Sequence, residues 1–343
     1  MNIFINASNV HIGGGKVIVN DLINAAKHYK LINFVFYVDS RFESHTLKQS
    51  NVIIKIIKKK QRFLVYSFIN KEAQKNDIVI YLTNLPPIFK HKCKTILVLS
   101  NRFIIDNYTL SGFSIKTKLR INAERLFFWI NKNNTDYIIV QSESMSSVLL
   151  KKGILKDKIK VIAYKSKDDD IKRLNINNCH KASNVFLYVS SDDPHKNHEI
   201  LIESWCLLSK EGIFPKLILT IGKTSNLYEL IVSSINEFKL DIDIRRNLQR
   251  NEILDLYNHS TALIYPSLFE SYGLPLVEAG QYKLPVLASE LDYVRDILDP
   301  VETFDPKSAK SIARSVKRFL KIKDKKTKIA KPEEFIEDVI IKL

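Results

Sequence analysis

The sequence predicts an α/β protein made of two doubly wound parallel-sheet domains that face a cleft. Strand-like runs alternate with helix-like stretches through both halves of the chain, as they do where helices cover both faces of a parallel sheet. A polar segment without apolar periodicity, residues 166–183, interrupts the alternation and is typical of a linker. The length of 343 residues also suits two domains. We therefore expect an N-terminal domain over residues 1–165 and a C-terminal domain over residues 184–343.

The elements of the N-terminal half are short apolar runs separated by longer amphipathic stretches. Runs rich in β-branched and aromatic residues favour strands, and apolar residues spaced three or four apart favour helices. The predicted strands are Asn2–Ala7, Leu31–Val38, Val52–Ile57, Ile78–Leu82, Thr95–Leu99 and Tyr137–Val140. The predicted helices are Val17–Tyr29, Lys116–Asn131 and Ser144–Lys152, the last followed by Gly153, a common helix stop.

The same alternation restarts after the polar segment. The predicted strands are Val185–Val189, Leu217–Ile221, Ile242–Ile244, Ala262–Tyr265 and Pro285–Ala288. The predicted helices are His198–Lys210, Leu227–Phe238, Glu252–Asn258 and Pro275–Tyr282. Strands that alternate with helices in this way indicate a second parallel sheet.

The composition indicates a folded protein without membrane spans or disulfides. Hydrophobic residues make up 45% of the chain, and no run reaches the roughly 18 apolar residues that a spanning helix needs. The three cysteines, Cys93, Cys179 and Cys206, form no C-x-x-C pair. The first residues lack a basic n-region, so no secretory signal is predicted. We expect a cytoplasmic protein with neither a disulfide framework nor a thiolate zinc site.

The net charge of +16 is concentrated in the N-terminal half. Residues 1–165 contain 27 Lys and Arg against 10 Asp and Glu, whereas residues 166–343 contain 26 against 27. A general bias toward lysine would raise both halves equally. The asymmetry therefore predicts a polyanionic partner for the N-terminal domain: an anionic membrane surface, a phosphorylated substrate or a nucleic acid.

A glycine-rich turn follows the first predicted strand. Three of the nine glycines, Gly13, Gly14 and Gly15, are consecutive. Such a turn lets backbone N–H groups approach phosphate at a helix N-terminus, where the helix dipole favours anions. The third glycine of a dinucleotide fingerprint is missing, and the P-loop pattern is absent. We interpret Gly14 and Gly15 as part of a phosphate-binding loop that faces the cleft, the alternative being an ordinary tight turn.

The segment Tyr265–Gly280 offers two carboxylates beside free backbone N–H groups. A predicted strand ends, a Pro-Ser turn follows, and Gly273 and Leu274 begin a helix with proline in its first turn. Glu270 lies in the turn and Glu278 lies one turn into the helix. The N–H groups can hold an anion, and the carboxylates can accept hydrogen bonds from hydroxyls on either side of it. A nucleotide sugar has this order of groups: sugar hydroxyls, a diphosphate and ribose hydroxyls.

The same segment, with the pattern P-S-x-x-E-S-Y-G-L-P-x-x-E-A, resembles the E-x7-E segment of the retaining GT-B glycosyltransferases of family 4. The resemblance extends over Val185–Leu298 and, more loosely, over residues 1–165. It implies two Rossmann-like domains in the GT-B arrangement. It also implies that Glu278 binds the ribose and that Glu270 contacts the donor sugar. The residues implied in donor binding also include Ser271, Gly273 and Leu274.

A second stretch that resembles this family, Tyr188–His198, follows the first strand of the C-terminal half. In the family a lysine here holds the donor diphosphate, and Lys196 matches it. Many members carry an arginine five residues before this lysine, where the present sequence has Ser191. His195 is a candidate replacement for that cation, although a histidine at the start of a helix is more often a surface residue. His195 and His198 lack a carboxylate or cysteine partner, so no metal site is predicted.

Two further positions depart from the family pattern. The family often has a histidine after a central strand of the first domain, and the corresponding stretch Leu97–Arg102 has none, which leaves Asn101 or Arg102 to line the cleft. His11, beside the glycine turn, is an alternative cleft histidine or a surface residue. The family's usual glycine before L-P-V is Lys283. The catalytic candidates are Glu270, Lys196 and Asn101.

Two basic segments of the N-terminal half adjoin apolar aromatic runs. The first segment has five basic residues directly before Phe63–Phe68: Lys55, Lys58, Lys59, Lys60 and Arg62. Basic side chains can contact anionic headgroups while Phe and Tyr enter the bilayer boundary. We assign membrane contact to this segment, chiefly to Lys58, Lys59, Lys60 and Arg62, the alternative being a solvated basic face. The second segment, Lys116–Lys132, is a further candidate for membrane contact. We favour the alternative, burial of Leu126–Ile130, because a helix before a core strand normally buries such residues.

The resemblance and the charge distribution together imply a retaining glycosyltransferase at the cytoplasmic face of the membrane. It would move a sugar from a nucleotide sugar to a saccharide acceptor, a lipid-linked one in bacterial surface polysaccharide synthesis such as that of O-antigen or capsule. In the family such chemistry needs no metal and no cofactor. One alternative is a GT-B sugar-nucleotide epimerase. Another is a basic nucleic-acid-binding protein. That interpretation leaves Lys196 and the two glutamates without a role, and the sequence contains no recognised nucleic-acid module. We therefore expect no nucleic-acid partner.

Overall fold

The structure, a computed structural model, describes residues 1–11, 13–42, 50–164, 184–222 and 226–324. It contains two parallel β-sheets, one formed within residues 2–161 and the other within residues 185–304. The predicted α/β class with two doubly wound sheets is thereby confirmed. The predicted linker, residues 166–183, lies outside the described residues.

The first sheet reverses its strand order at its first strand. Its strands are β1 (Asn2–Ala7), β2 (Asn33–Asp39), β3 (Val52–Ile57), β4 (Ile78–Tyr81), β5 (Lys94–Val98), β6 (Tyr137–Val140) and β7 (Ile159–Val161). They are parallel, in the order β3-β2-β1-β4-β5-β6-β7, so β1 pairs with β2 on one side and with β4 on the other. Ligands of doubly wound sheets bind at the carboxyl ends of the strands beside such a reversal. The glycines that follow β1 are therefore at the expected place for a site.

Helices cover both faces of this sheet: α1 (Gly13–Ala26), α2 (Val65–Glu72), α3 (Ile115–Asn131) and α4 (Glu143–Lys151). Successive side chains of β1 enter different cores, as the two-residue period of a strand requires. Ile5 packs with Val19 of α1 in one core. Phe4 belongs to the other core, which includes Ile69 of α2 and Phe128 of α3, together with residues of α4. The helices α2, α3 and α4 therefore lie on the same face of the sheet.

The second sheet has the same kind of reversal. Its strands are β8 (Val185–Tyr188), β9 (Lys216–Leu219), β10 (Ile242–Ile244), β11 (Ala262–Tyr265), β12 (Val286–Ser289) and β13 (Glu302–Phe304), in the order β10-β9-β8-β11-β12-β13. Its helices are α5 (His198–Lys210), α6 (Asn226–Phe238), α7 (Arg250–His259), α8 (Leu274–Gln281), α9 (Asp292–Arg295) and α10 (Ala309–Phe319). The strands β8, β11 and β12 are buried along their whole length, as in parallel sheets covered on both faces. Lys196 follows β8 and Glu270 follows β11, the two neighbouring strands at the reversal.

Several local expectations need correction. The helix α1 begins at Gly13, so the three glycines form its first turn instead of a turn before it. The elements α2, β7, α9, β13 and α10 were not predicted. In α3, Phe128 is buried as expected, but Leu126 and Ile130 are exposed, because the helix packs on the sheet through Ile121 and Phe128.

Candidate active site

A cavity of about 800 Å³ lies between the two sheets, a size typical of small-molecule sites. The residues after β1, β8 and β11 converge on it. From the first domain its lining includes Gly15, Lys16, Asp21, Ser100 and Tyr164. From the second domain its lining includes Ser191, Lys196, Arg250, Glu270, Ser271, Gly273, Leu274 and Glu278. The structure therefore brings most of the predicted donor-binding residues to one cavity.

Glu270 is held by a cation and a tyrosine. Its carboxylate is 9% exposed. The Nζ atom of Lys196 lies 2.6 Å from its Oε1 atom, and the hydroxyl of Tyr265 donates to the same oxygen at 2.9 Å. The predicted phosphate-site lysine and the predicted sugar-site carboxylate are thus in direct contact.

Glu278 has a corresponding set of neighbours. It lies in α8, is 7% exposed, and accepts a hydrogen bond from a guanidinium nitrogen of Arg250 on Oε1 at 2.6 Å. The hydroxyl of Tyr257 donates to Oε2 at 2.7 Å. Arg250 begins α7 and Tyr257 lies two turns further along it, so α7 orients this carboxylate from two points.

Both tyrosines remain hydrogen-bond donors at any physiological pH. Burial raises the pKa of Tyr257 well above its ordinary value, and the neighbouring Glu278 carboxylate raises it further. Burial and the Glu270 carboxylate have the same effect on the pKa of Tyr265. Because a tyrosine that keeps its proton donates to the carboxylate beside it, each glutamate is fixed as a hydrogen-bond acceptor.

Backbone groups reach the cavity at two glycines. Gly273, the residue before α8, has φ +82°, a left-handed conformation in which a side chain would be strained. The first N–H groups of α8 follow at Leu274 and the residues after it, and both Gly273 and Leu274 line the cavity. At Gly15 a Cβ atom would lie 2.8 Å from the Val10 Cγ1 atom, so a side chain does not fit there without a shift. Gly14 belongs to the same first turn of α1.

A short turn carries Lys196 into the cavity. It is a 3-10 turn, Pro194–Lys196, between β8 and α5. The next residue, Asn197, has φ +62°, and its side-chain amide anchors the turn to the loops after β11 and β13. That amide donates to the carbonyl oxygens of Pro266 at 3.1 Å and Pro306 at 2.7 Å.

Of the two histidines of this stretch, His195 is half-buried and His198 is buried. The ring of His195 packs 5.1 Å from that of Phe103 and 6.0 Å from that of Phe113, both from the first domain. Burial lowers the pKa of His195, and the charge of Lys196 adds to this effect. Burial also lowers the pKa of His198 to about 3. His195 is absent from the cavity lining within the described residues, and its role as a replacement cation stays a prediction.

Asn101, the third catalytic candidate, does not reach the cavity in the part of the chain that the structure describes. Its side-chain oxygen accepts a hydrogen bond from the N–H of Phe103 at 3.1 Å and so caps the turn Arg102–Ile104. The neighbouring Ser100 lines the cavity instead. His11 likewise lies outside the described lining, with Nδ1 3.3 Å from the carbonyl oxygen of Asn9.

The sequence analysis missed several lining residues. Arg250 is separated from Glu278 by 28 residues, and no local pattern connects the two. Lys16 directly follows the glycines and could have been named from the sequence. Asp21 accepts a hydrogen bond from the hydroxyl of Tyr164 at 2.5 Å, a contact between two elements distant in sequence.

Side chains of the first domain bind the main chain of the segment that carries Glu270. A guanidinium nitrogen of Arg102 donates to the carbonyl oxygen of Glu270 at 3.3 Å, and the hydroxyl of Ser142 donates to that of Ser271 at 2.9 Å. In the reverse direction, the hydroxyl of Tyr272 donates to the carbonyl oxygen of Tyr164 at 3.1 Å. The turn that carries Glu270 is therefore attached to both domains.

The predicted membrane-contacting segment is only partly available. Lys55 pairs with Glu72 at 2.6 Å, Arg62 pairs with the buried Asp39, and Tyr66 is buried. Hydrogen bonds from Arg41 and Arg62 outweigh burial and hold the pKa of Asp39 below its usual range, so the pair with Arg62 is charged at neutral pH. The exposed members of the segment are Lys58, Lys59, Lys60, Phe63 and Leu64.

The fold of the chain matches that of solved structures. The structure superposes on Anabaena HepE, solved in complex with UDP and glucose, with a TM-score of 0.63 over 93% of this chain and 90% of that chain, at 17% identity. The protein therefore has the GT-B fold.

Residues 167–334, just under half of the chain, match the family described as Glycosyl transferases group 1. The O-antigen chain mannosyltransferase RfbU of Salmonella typhimurium is 28% identical over 145 residues, which cover 41% of this chain and 40% of that protein. The serotype-specific mannosyltransferase WbdA of Escherichia coli is 28% identical over 142 residues, which cover 40% of this chain and 17% of that protein. The match thus spans less than half the length of either relative.

Proposed function

We propose that the protein is a retaining glycosyltransferase that moves a hexosyl group from a nucleotide sugar to a lipid-linked saccharide acceptor in bacterial surface polysaccharide synthesis. The observation that carries the proposal is the pair Glu270 and Glu278, each fixed by one cation and one tyrosine in a cavity between two domains. The similarity to the mannosyltransferases RfbU and WbdA supports O-antigen synthesis as the setting and mannose as the first sugar to test.

The cavity offers a matching group for each part of a nucleotide sugar. Glu278 would accept hydrogen bonds from the ribose hydroxyls, and Glu270 from the hydroxyls of the transferred sugar. Lys196 lies beside Glu270 and would bind the diphosphate together with the backbone N–H groups at Gly273 and Leu274. Arg250 would supply the second positive charge that the family usually takes from an arginine near Lys196.

The chemistry would rest on stabilising the leaving group. Negative charge grows on the diphosphate as the glycosidic bond breaks, so a cation and a helix N-terminus already in place stabilise the transition state more than the bound donor. The family resemblance implies that a phosphate oxygen of the donor takes the proton of the acceptor hydroxyl. We expect transfer to continue in the presence of EDTA, since the proposed leaving-group stabilisers are Lys196 and backbone N–H groups.

The acceptor would enter from the first domain, whose residues Lys16, Asp21 and Ser100 line the same cavity. The net charge of that half, 27 basic against 10 acidic residues, suits a phosphorylated, lipid-linked acceptor at an anionic membrane surface. Within the described residues no helix is long and apolar enough to cross a bilayer. We therefore propose peripheral attachment at the cytoplasmic face.

A panel of nucleotide sugars tests the proposal. Each compound, GDP-mannose and UDP-glucose included, is scored first for its effect on thermal unfolding and then for sugar transfer to a lipid-linked saccharide. A ligand at 100 times its Kd stabilises the native state by about 2.7 kcal/mol, so the true donor should raise the melting temperature clearly. NMR of the product should show the anomeric configuration of the donor.

The same panel separates the other candidate functions. Conversion of the donor sugar without any acceptor would indicate an epimerase. Salt-sensitive binding to duplex DNA, with no nucleotide sugar raising the melting temperature, would indicate a nucleic-acid-binding protein and contradict the proposal.

A further inference from the structure

The helix α3 exposes an apolar stripe. Its four members are Ile115, Leu119, Leu126 and Ile130, which are 77%, 66%, 63% and 67% exposed. At 3.6 residues per turn they fall within an arc of about 60°. The helix packs on the sheet through Ile121 and Phe128, which lie on another side. The helix therefore has two apolar sides, and only one of them is covered by the residues that the structure describes.

Basic residues flank the stripe. On the helical projection Lys116 and Arg120 lie along one edge of it and Lys118 along the other. The acidic residue of this helix, Glu124, pairs with Arg120 at 3.1 Å. An apolar stripe between rows of cations is the pattern of a helix that lies in the interface of an anionic membrane.

A neighbouring loop extends the stripe at its C-terminal end. The side-chain amide of Asn134, just beyond α3, donates to the carbonyl oxygens of Pro87 at 3.0 Å and Ile88 at 2.9 Å. This contact holds the loop against the end of the helix. Ile88 and Phe89 are 41% and 47% exposed, and two exposed lysines, Lys90 and Lys92, follow.

We propose that this surface, called here the α3 face and formed by Ile115, Leu119, Leu126, Ile130, Ile88 and Phe89, is where the protein docks on an anionic lipid bilayer. The inference builds on the proposed function, because a lipid-linked acceptor would bring the enzyme to such a bilayer. Docking itself needs no nucleotide sugar, and it can therefore be tested separately.

The charge pattern and the shape favour a bilayer over a second copy of the chain. Two copies packed stripe to stripe would bring the basic flanks of both helices together, and like charges at close range oppose association. The stripe also runs along a convex helix for about 22 Å. A convex apolar ridge enters a fluid interface without needing a complementary groove.

The basic turn at Lys58–Lys60 fits the same docking geometry. It leads into α2, and α2 packs on the same face of the first sheet as α3. Because Lys55 and Arg62 are paired within the protein, the turn contributes cations and the exposed Phe63, whereas the longer apolar stripe is on α3. The α3 face is therefore the principal apolar contact, and the turn adds attraction to headgroups.

Sedimentation with vesicles tests the proposal. The double variant Leu119→Gln/Leu126→Gln should bind vesicles of phosphatidylglycerol and phosphatidylcholine at least tenfold more weakly than the wild type. The matched control, Leu31→Gln/Leu230→Gln, makes the same change at two exposed leucines elsewhere and should bind like the wild type. Thermal unfolding of both variants, with and without a nucleoside diphosphate, shows that the fold and the donor site are intact.

Brominated lipids give a second readout that does not depend on affinity. A tryptophan introduced by Leu126→Trp should be quenched on contact with the bilayer, whereas one introduced by Leu31→Trp should not. Both variants are made in a Trp129→Phe background, because the native Trp129 lies in α3 itself. The other native tryptophan, Trp205, is buried in the second domain and contributes the same background to both.

Three results would overturn the proposal. One is unchanged vesicle binding by Leu119→Gln/Leu126→Gln, and another is equal quenching of the two introduced tryptophans. The third is a wild-type dimer that the double variant dissociates without any change in vesicle binding, which would assign the stripe to a second copy of the chain. None of these results bears on donor binding, so the proposed function would stand or fall by the nucleotide-sugar panel alone.

Discussion

At the residue scale, Glu270 and Glu278 have similar surroundings but different expected partners. If Glu278 binds the ribose, Glu278→Ala should weaken binding of the free nucleoside diphosphate and of the nucleotide sugar alike, by about 1–3 kcal/mol for a buried hydrogen-bonded carboxylate. Glu270→Ala should weaken only the nucleotide sugar, and it releases Lys196 from its ion pair for the diphosphate. Calorimetry on both variants with both ligands measures the difference. Equal losses for the two ligands at both positions would contradict these roles.

Lys196 should matter more for rate than for binding. Lys196→Ala is expected to cost about 1.5–3 kcal/mol in diphosphate affinity, the usual contribution of a charge-assisted hydrogen bond. The loss in kcat should be larger, because the charge on the diphosphate grows in the transition state. Steady-state kinetics would be compared with Lys210→Ala, an exposed lysine of α5. A Lys196→Ala enzyme with wild-type turnover would exclude this lysine from the donor site.

The sequence could predict those site residues that belong to one local element. Glu270, Gly273 and Glu278 share a single strand–turn–helix segment, so their spacing carries the signal. His195 and Asn101 were assigned only because they stand near positions where the resembling family has an arginine and a histidine. Their surroundings, a ring of Phe103 for His195 and a capped turn for Asn101, depend on residues distant in sequence. Arg250 was missed for the same reason, since only the tertiary fold brings it to Glu278.

At the element scale, five helices are followed by a residue in the left-handed conformation. That residue is glycine after two of the helices and lysine after the other three. After α4 and α5 the left-handed position is glycine, Gly153 and Gly212; after α6, α8 and α10 it is lysine, Lys239, Lys283 and Lys321, with φ between +51° and +60°. In each case the following N–H bonds the carbonyl oxygen five residues back, as Leu284 does to Ala279 at 2.9 Å. Lys283 therefore stands where a glycine is favoured by the backbone, which explains why the family usually has one there.

Replacing these lysines with glycine should stabilise the protein. A left-handed conformation destabilises the folded state by roughly 1–2 kcal/mol when the residue has a side chain. Glycine removes this strain, but its greater freedom in the unfolded chain offsets part of the gain. We expect a gain of about 1 kcal/mol at each of Lys239, Lys283 and Lys321, seen as a higher midpoint in denaturant unfolding. The control Lys310→Gly, inside α10, should lower the midpoint, since glycine is unfavourable in a helix. A triple Lys→Gly variant less stable than the wild type would contradict the expectation.

Three of the five elements that were not predicted, β7, β13 and α9, are only three or four residues long. The strands β7 and β13 have three residues each and a single buried side chain, Ile159 and Phe304, so no alternation develops. The segment at the start of α2 reads as an apolar aromatic run, and only the structure shows that Val65, Tyr66 and Ile69 are buried at helical spacing. By contrast, α10 could have been predicted from the sequence, because its apolar residues Ile312, Ala313 and Val316 stand at helical spacing.

At the scale of the whole molecule, the uneven charge should govern attachment to membranes. Near an anionic leaflet each basic residue contributes about 1 kcal/mol. The triple variant Lys58→Glu/Lys59→Glu/Lys60→Glu should therefore release the protein from anionic vesicles, and wild-type binding should fall steeply with salt because the attraction is screened. Hydrolysis of a soluble donor should be unchanged, since these lysines are outside the described cavity lining.

A control with the same net charge isolates the position of the lysines. The variant Lys210→Glu/Lys307→Glu/Lys310→Glu changes three exposed lysines of the second domain and should keep most vesicle binding. Undiminished binding by the Lys58–Lys60 variant would show that this turn does not face the membrane.

The attachment of the Glu270 turn to the first domain has a consequence for changing the donor of the proposed glycosyltransferase. Arg102 and Ser142 bind the carbonyl oxygens of Glu270 and Ser271, and a carbonyl oxygen is present whatever amino acid occupies the position. The side chain at position 271 can therefore be randomised in a directed-evolution library without removing these two contacts between the domains. Variants that lose the native donor would then do so through altered sugar contacts, and a library at this position can be screened directly for transfer of a different sugar.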